Sequence, residues 1–226
     1  MLCDLVDEIR FKIQRALAAS ARPDKKIALV AVSKTVPSET LRQALRCGVG
    51  DFGENKIQEA EPKFAELSSE NFRKHFIGHL QSNKAKRAVE IFDLIQSVDS
   101  LELLKKIDAA AKNFSKMQNC LVEIKLSTEP SKFGLDPQNL ESFLENAAKL
   151  ERVRVLGLMA MAPHFDDAQL TRPYFAKARQ HFDQFFKSSE AILSMGMSTD
   201  FEVAIQEGST MVRIGTALFG SRASHL

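Results

Sequence analysis

The sequence predicts an α/β fold: a single (β/α)8 TIM barrel with an extra N-terminal helix, one domain over residues 1–226. Three observations predict it. Short apolar segments alternate with amphipathic ones eight times, the pattern of a parallel sheet covered by helices. No long linker or low-complexity insert interrupts them. The length of 226 residues suits barrels, which form single units at ~200 to 250 residues. An open doubly wound sheet is the alternative, since it needs no specific strand count; the count of eight favours the barrel.

The elements follow in order. Leu2, Leu5, Ile9, Ile13 and Leu17 recur at helical spacing with Asp4, Asp7, Glu8 and Arg10 between them, which makes an amphipathic helix and not a signal peptide. "KIALVAVS" is a buried strand, and "SETLRQALRCG" a helix with Ser38 as cap and Gly48 as stop. "GDFGEN" (50–55) precedes a helix from about Lys56 to Leu67, and "KHFIGHL" (74–80) one beginning near Asn83. "IFDLIQSVDS" (91–100) leads into "LELLKKIDAAAK", with Asp99 or Ser100 as cap. "NCLVEIKLS" (119–127) leads through a polar loop into "PQNLESFLENAAKL", where Pro137 suits a first helical turn. "VRVLGLMAM" (153–161) precedes a loop and the long helix "RPYFAKARQHFDQFFKSS". "AILSMG" (191–196) precedes "TDFEVAIQEG", and "TMVRIG" (210–215) a short terminal segment.

Composition narrows the function classes. With 31 basic and 29 acidic residues, the formal charge of +2 calls for neither nucleic acid nor an anionic membrane. No apolar run approaches the ~20 residues of a membrane span. Cys3, Cys47 and Cys120 are odd in number and widely spaced, without a CxxC pair. Free thiols in a reducing cytoplasm are therefore expected, with no disulfide framework and no zinc site. The five histidines are scattered, so no metal is expected. Lys84, Lys86 and Arg87 form a small basic cluster that reads as a solvated helix face.

A barrel places chemistry at the C-terminal ends of its strands, with phosphate often held by the loops after strands seven and eight. Lys34 ends strand one, either as a lysine snorkelling out of a strand end or as an amine that forms a Schiff base with a carbonyl. Gly196, Ser198 and Thr199 lie between strand seven and a helix whose first turn carries Asp200 and Glu202. Free amides there suit a phosphate, while Ser198 or Thr199 also suits the helix N-cap. Gly215 and Thr216 follow strand eight, and Arg213 shares Gly215's face in a period of two. A guanidinium between Val212 and Ile214 requires a partner, either a carboxylate or a ligand.

From "LVAVSKTVP" through "FGENKIQEA", "HFIGHLQSNK", "QSVDS", "SKFGL", "GLMAM" and "LSMGMSTDFEVAIQEGSTMVRIGTALFG", the chain resembles the PLP homeostasis proteins, the YggS/PROSC family. The resemblance implies a barrel like the alanine racemase N-terminal domain, holding pyridoxal 5'-phosphate (PLP) as a Schiff base on Lys34. It implies that Ser198 and the backbone of Gly215 and Thr216 hold the phosphate, that Arg213 approaches the pyridine nitrogen, and that Asn55 neighbours the ring. PLP-dependent apoenzymes are then the expected recipients. The expected state is a cytoplasmic monomer, with a dimer as the alternative.

The expected activity is carriage without robust turnover, with no residue assigned a catalytic role. Related alanine racemases draw a second acid–base group, a tyrosine, from another domain; the one tyrosine here, Tyr174, reads as a packing residue on an outer helix. The chain ends about ten residues after strand eight, which leaves no room for such a domain. Arg213 facing the ring nitrogen would disfavour its protonation and weaken PLP as an electron sink. The rivals are a weak PLP-dependent racemase or lyase acting on amino acids, and a Schiff-base aldolase using Lys34 on a phosphorylated sugar.

Overall fold

The computed structural model describes residues 1–126 and 133–220. The polar loop at 127–132, with the first two residues of the SKFGL motif, and the chain end at 221–226 lie outside the described residues. Eight parallel strands close into a barrel in sequence order, joined across the seam by β1 (Ala28–Val32) and β8 (Met211–Ile214), which pair from Ala28↔Met211 to Ala31↔Ile214. Between them come β2 (Asp51–Glu54), β3 (Arg73–Phe76), β4 (Leu94–Val98), β5 (Gln118–Ile124), β6 (Val153–Ala160) and β7 (Ile192–Ser194). The expected barrel is the observed one.

Helices surround it: α1 (Leu2–Ala18), α2 (Ser38–Arg46), α3 (Ile57–Glu66), α4 (Ala85–Ile91), α5 (Leu101–Asn113), α6 (Leu140–Ala147), α7 (Arg172–Phe185), α8 (Phe201–Gln206) and α9 (Thr216–Phe219). The extra helix α1 buries Val6, Ile9, Ile13, Ala16 and Leu17 and packs on α8 and α9. Strands buried on both faces read as nearly continuous apolar runs, which is why the eight segments were visible. Ser100 caps α5 by accepting from the Leu103 amide at 3.3 Å. Ser38 is not the cap of α2: Pro37 occupies that position, and the Ser38 hydroxyl donates to the Glu66 carboxylate instead.

Period two divides the interior into layers. Leu94, Leu121, Ile192 and Met211 belong to an apolar plug inside the barrel. Gln96, Glu123, Ser194 and Arg213 each stand two residues further along the same strands and are buried above it. The apolar plug therefore closes the pore, and the polar layer forms the floor of the mouth.

The expectation of free thiols fails as well. Cys3 and Cys47 are joined in a disulfide with Cα atoms 5.1 Å apart, within the span a bridge requires; Cys120 alone of the three is a free, buried thiol. Docking of α1 beside α2 brings together residues 44 apart in sequence, which spacing rules do not reveal. Arg10 reinforces the junction by donating to the carbonyls of Cys47 and Gly48.

Candidate functional site

Lys34 lies two residues beyond β1, half-buried in a turn closed by Val36 N–H donating to Ser33 O. Thr35 takes a left-handed φ of 65° there, uncommon for a residue with a side chain. Below the turn is a buried ionic knot. Lys63 Nζ donates to Ser33 O and Glu54 Oε1, each at 2.6 Å, and Ser33 Oγ donates to the same carboxylate oxygen at 2.7 Å. The strand end that carries Lys34 is thereby fixed to β2 and α3.

Asn55 directly follows β2, beside β1 through the Val32↔Gly53 pair. Gly78 holds its backbone in place: a Cβ there would lie 2.3 Å from Asn55 O, so the approach requires glycine. Asn55 Oδ1 and the adjacent Glu54 Oε2 are buried without a hydrogen-bond partner among the described residues. Buried polar atoms are nearly always satisfied; Ser97 Oγ and Gln118 Oε1 are the other exceptions among the described residues, and Asn55 Oδ1, just past the end of β2, has capacity to accept from a bound group. Burial, only partly offset by Lys63 and Ser33, pushes the Glu54 carboxyl up.

The loops after β7 and β8 meet through Ser198. Its hydroxyl accepts from the Gly215 and Ala217 amides at 3.2 Å each. Ser198 and Thr199 do not cap α8. Asp200 occupies that position and accepts instead from the Met197 amide at 2.6 Å. Gly196 turns the loop at φ 93°, where a Cβ would lie 2.6 Å from Ala204 Cβ. Gly215 starts α9, and a Cβ placed on it would touch Val32 Cβ at 3.4 Å, so the loop after β8 adjoins the end of β1. Thr216 opens α9, but the second amide at the Ser198 hydroxyl is that of Ala217, which sequence reasoning missed.

Arg213 is 3% exposed. It donates to Ser194 O, Ser194 Oγ and Ala160 O at 2.7 to 3.1 Å, not to a carboxylate. Burial pushes the guanidinium down to about 10, opposed by the charges of Glu123 and Asp200; it stays charged at neutral pH. Burial pushes the Glu123 carboxyl up to about 7 despite Arg213, with Asp99 adding to the rise. Asp200 is raised by burial as well, against the Met197 amide and Arg213. Glu123 was missed as a site residue, though a charge in the apolar run "LVEI" was its signal.

Beside this cluster a cavity of about 300 Å³ opens over the ends of β5, β6 and β7, lined by Glu123, Lys125, Phe133, Met161, His164 and Met197. Its wall continues into the SMGMS loop through Met197. Strand ends 1, 2, 7 and 8 thus bring Lys34, Asn55, Ser198, Arg213, Gly215 and Thr216 to one side of the mouth, and the cavity adjoins them at Met197 and Glu123. Tyr174 lies on α7 in the outer ring, its ring 5.8 Å from that of Phe165.

Residues 6–223 match the family described as alanine racemase, N-terminal domain. A pyridoxal phosphate homeostasis protein from Aquifex aeolicus (strain VF5) is 39% identical over 97% of this chain and 98% of its own length. Among solved structures, PipY from Synechococcus elongatus PCC7942, determined with PLP bound, matches with a TM-score of 0.85 at 35% identity, over 97% of this chain and all of that one. A protein of unknown role from Bifidobacterium adolescentis matches with a TM-score of 0.89 at 33% identity, over 96% of this chain and 94% of its own.

Proposed function

The chain belongs to the family of pyridoxal phosphate homeostasis proteins, built on the alanine racemase N-terminal domain, and from that premise we propose that it binds PLP at the barrel mouth and carries it without robust turnover. Lys34 is the anchoring amine. Ser198 with the amides of Gly215 and Thr216 receives the phosphate, Asn55 lies beside the ring, and Arg213 faces the pyridine nitrogen. The orphaned Asn55 oxygen and the Ser198 hydroxyl support this fit: Ser198 accepts from the Gly215 and Ala217 amides and keeps its own proton to donate to an anion. When bound, PLP supplies an aldehyde that condenses reversibly with an amine, so one bond serves both storage and release. Recipients are PLP-dependent apoenzymes, and the working unit is a monomer.

The observation that supports carriage over catalysis is the buried, charged Arg213. A guanidinium only donates. Facing the ring nitrogen, it disfavours protonation there and weakens the cofactor as an electron sink. A second reading, a weak racemase or lyase acting on amino acids, draws on Glu123, whose carboxyl near 7 lines the neighbouring cavity and is suited to proton transfer.

The test mixes PLP-loaded protein with an apo-aminotransferase and, separately, with single L-amino acids followed by chiral analysis. Recovery of aminotransferase activity without measurable racemisation or cleavage supports the carrier. Steady turnover that disappears in Glu123→Gln would replace it with the second reading.

A further inference from the structure

A chain of buried polar side chains runs from Arg213 down through the barrel to the opposite end of the sheet. Arg213 Nη1 lies 2.7 Å from Ser194 Oγ, which lies 2.7 Å from Gln96 Oε1. Gln96 Nε2 lies 3.0 Å from His75 Nδ1, and His75 Nε2 lies 2.8 Å from Asp51 Oδ1. All five residues are no more than 7% exposed. The chain ends at Arg73, whose Nε is 2.8 Å from Asp51 Oδ1 and whose side chain is largely exposed beyond the start of β2 and β3.

Arg213 fixes the direction of every bond. A guanidinium can only donate, so Ser194 Oγ accepts from it and has one proton left to give. That proton requires an acceptor, which places Gln96 Oε1 toward Ser194 and Gln96 Nε2 toward His75. His75 Nδ1 must then accept, its proton sits on Nε2, and Nε2 donates to Asp51. Each donor points from the guanidinium toward the carboxylate, the arrangement in which successive bonds polarise one another.

Well-packed hydrophobic replacements of buried ionic groups are often neutral or better, so stability alone does not account for a polar file through an apolar plug. We propose that Ser194, Gln96 and His75 are positioning residues that aim the Arg213 guanidinium and set its strength as a donor toward the ring nitrogen, with Asp51 as the terminal acceptor. This rests on the PLP reading above. It extends the site from the mouth to the far end of the barrel, where the Arg73–Asp51 pair meets solvent.

The test compares wild type, Ser194→Ala and Gln96→Leu, with folding checked by circular dichroism. Ser194→Ala removes one hydroxyl and leaves Arg213 two backbone carbonyl partners, so it remains informative if Gln96→Leu does not fold. In the protein without ligand, exchange of the Arg213 guanidinium N–H protons accelerates by about fivefold in Ser194→Ala, the factor for losing one ordinary hydrogen bond. With ¹⁵N-labelled PLP, the ring-nitrogen signal of the bound cofactor moves in the same direction in both variants, while its phosphorus signal stays in place. A ring signal unmoved in the folded variants, with wild type binding PLP normally, overturns this inference and leaves the proposed function intact. A wild-type protein that gives no bound ring signal overturns both.

Discussion

Replacing Glu123 by glutamine should change how stability depends on pH, by an amount the structure sets. Burial pushes this carboxyl from its ordinary 4.5 to about 7. At 1.36 kcal/mol for each pH unit of difference, the gap is worth roughly 3 kcal/mol. The folded state holds the proton more tightly than the unfolded chain. The associated stability is therefore fully present below pH 4.5 and lost as pH rises through about 7. Glutamine keeps the shape and cannot ionise. Unfolding free energies from urea titrations of both proteins without ligand should diverge between these limits, with Glu123→Gln ahead by roughly 3 kcal/mol above neutrality relative to acid. Glu54 and Asp200 are raised in the same direction, so the difference between the two proteins, not the wild-type curve alone, isolates Glu123. Parallel curves from pH 4 to 8 would refute the argument that this carboxyl is buried at the cost of its charge.

Three further outcomes follow from the same geometry. Ser198→Ala should weaken PLP binding by roughly tenfold or more, the range for one hydrogen bond to a charged group, and should also lower the stability of the free protein by about 1–3 kcal/mol, because the Gly215 and Ala217 amides lose their shared acceptor. Fluorescence titration against PLP measures the first and thermal unfolding the second. Gly78→Ala should displace Asn55, because the new Cβ would meet its carbonyl oxygen at 2.3 Å; PLP affinity should fall together with stability, read by the same titration and by calorimetry. The Cys3–Cys47 bridge closes a loop of 44 residues, so adding reductant, or the Cys3→Ser change, should lower stability by up to about 4 kcal/mol on the loop-entropy model. An unchanged urea midpoint under reductant would show that the bridge constrains nothing.

The barrel was legible because parallel strands covered by helices leave unbroken apolar runs, and Lys34, Arg213 and Gly215 stood out as residues that such runs do not otherwise need. Helix ends were half legible. Ser100 caps α5 as its position suggested, but Ser198 could not be distinguished from a cap without knowing that β8 returns beside β7, which turns its hydroxyl toward the Gly215 and Ala217 amides. The disulfide was hidden for the same reason, since only the packing of α1 brings Cys3 to Cys47. Gln96 and His75 looked like ordinary strand residues. Their meaning depends on the inward period of five separate strands, and that is a property of the closed barrel.

The proposed function rests on Lys34 as the anchor of PLP. The direct measurement is the visible absorption of the purified protein with added PLP, followed by borohydride fixation and mass mapping of the modified peptide. A saturable absorption band and a fixed adduct on Lys34 are expected, both lost in Lys34→Ala. A wild-type protein without the band, or with adducts scattered over surface lysines, would contradict Lys34 as that anchor.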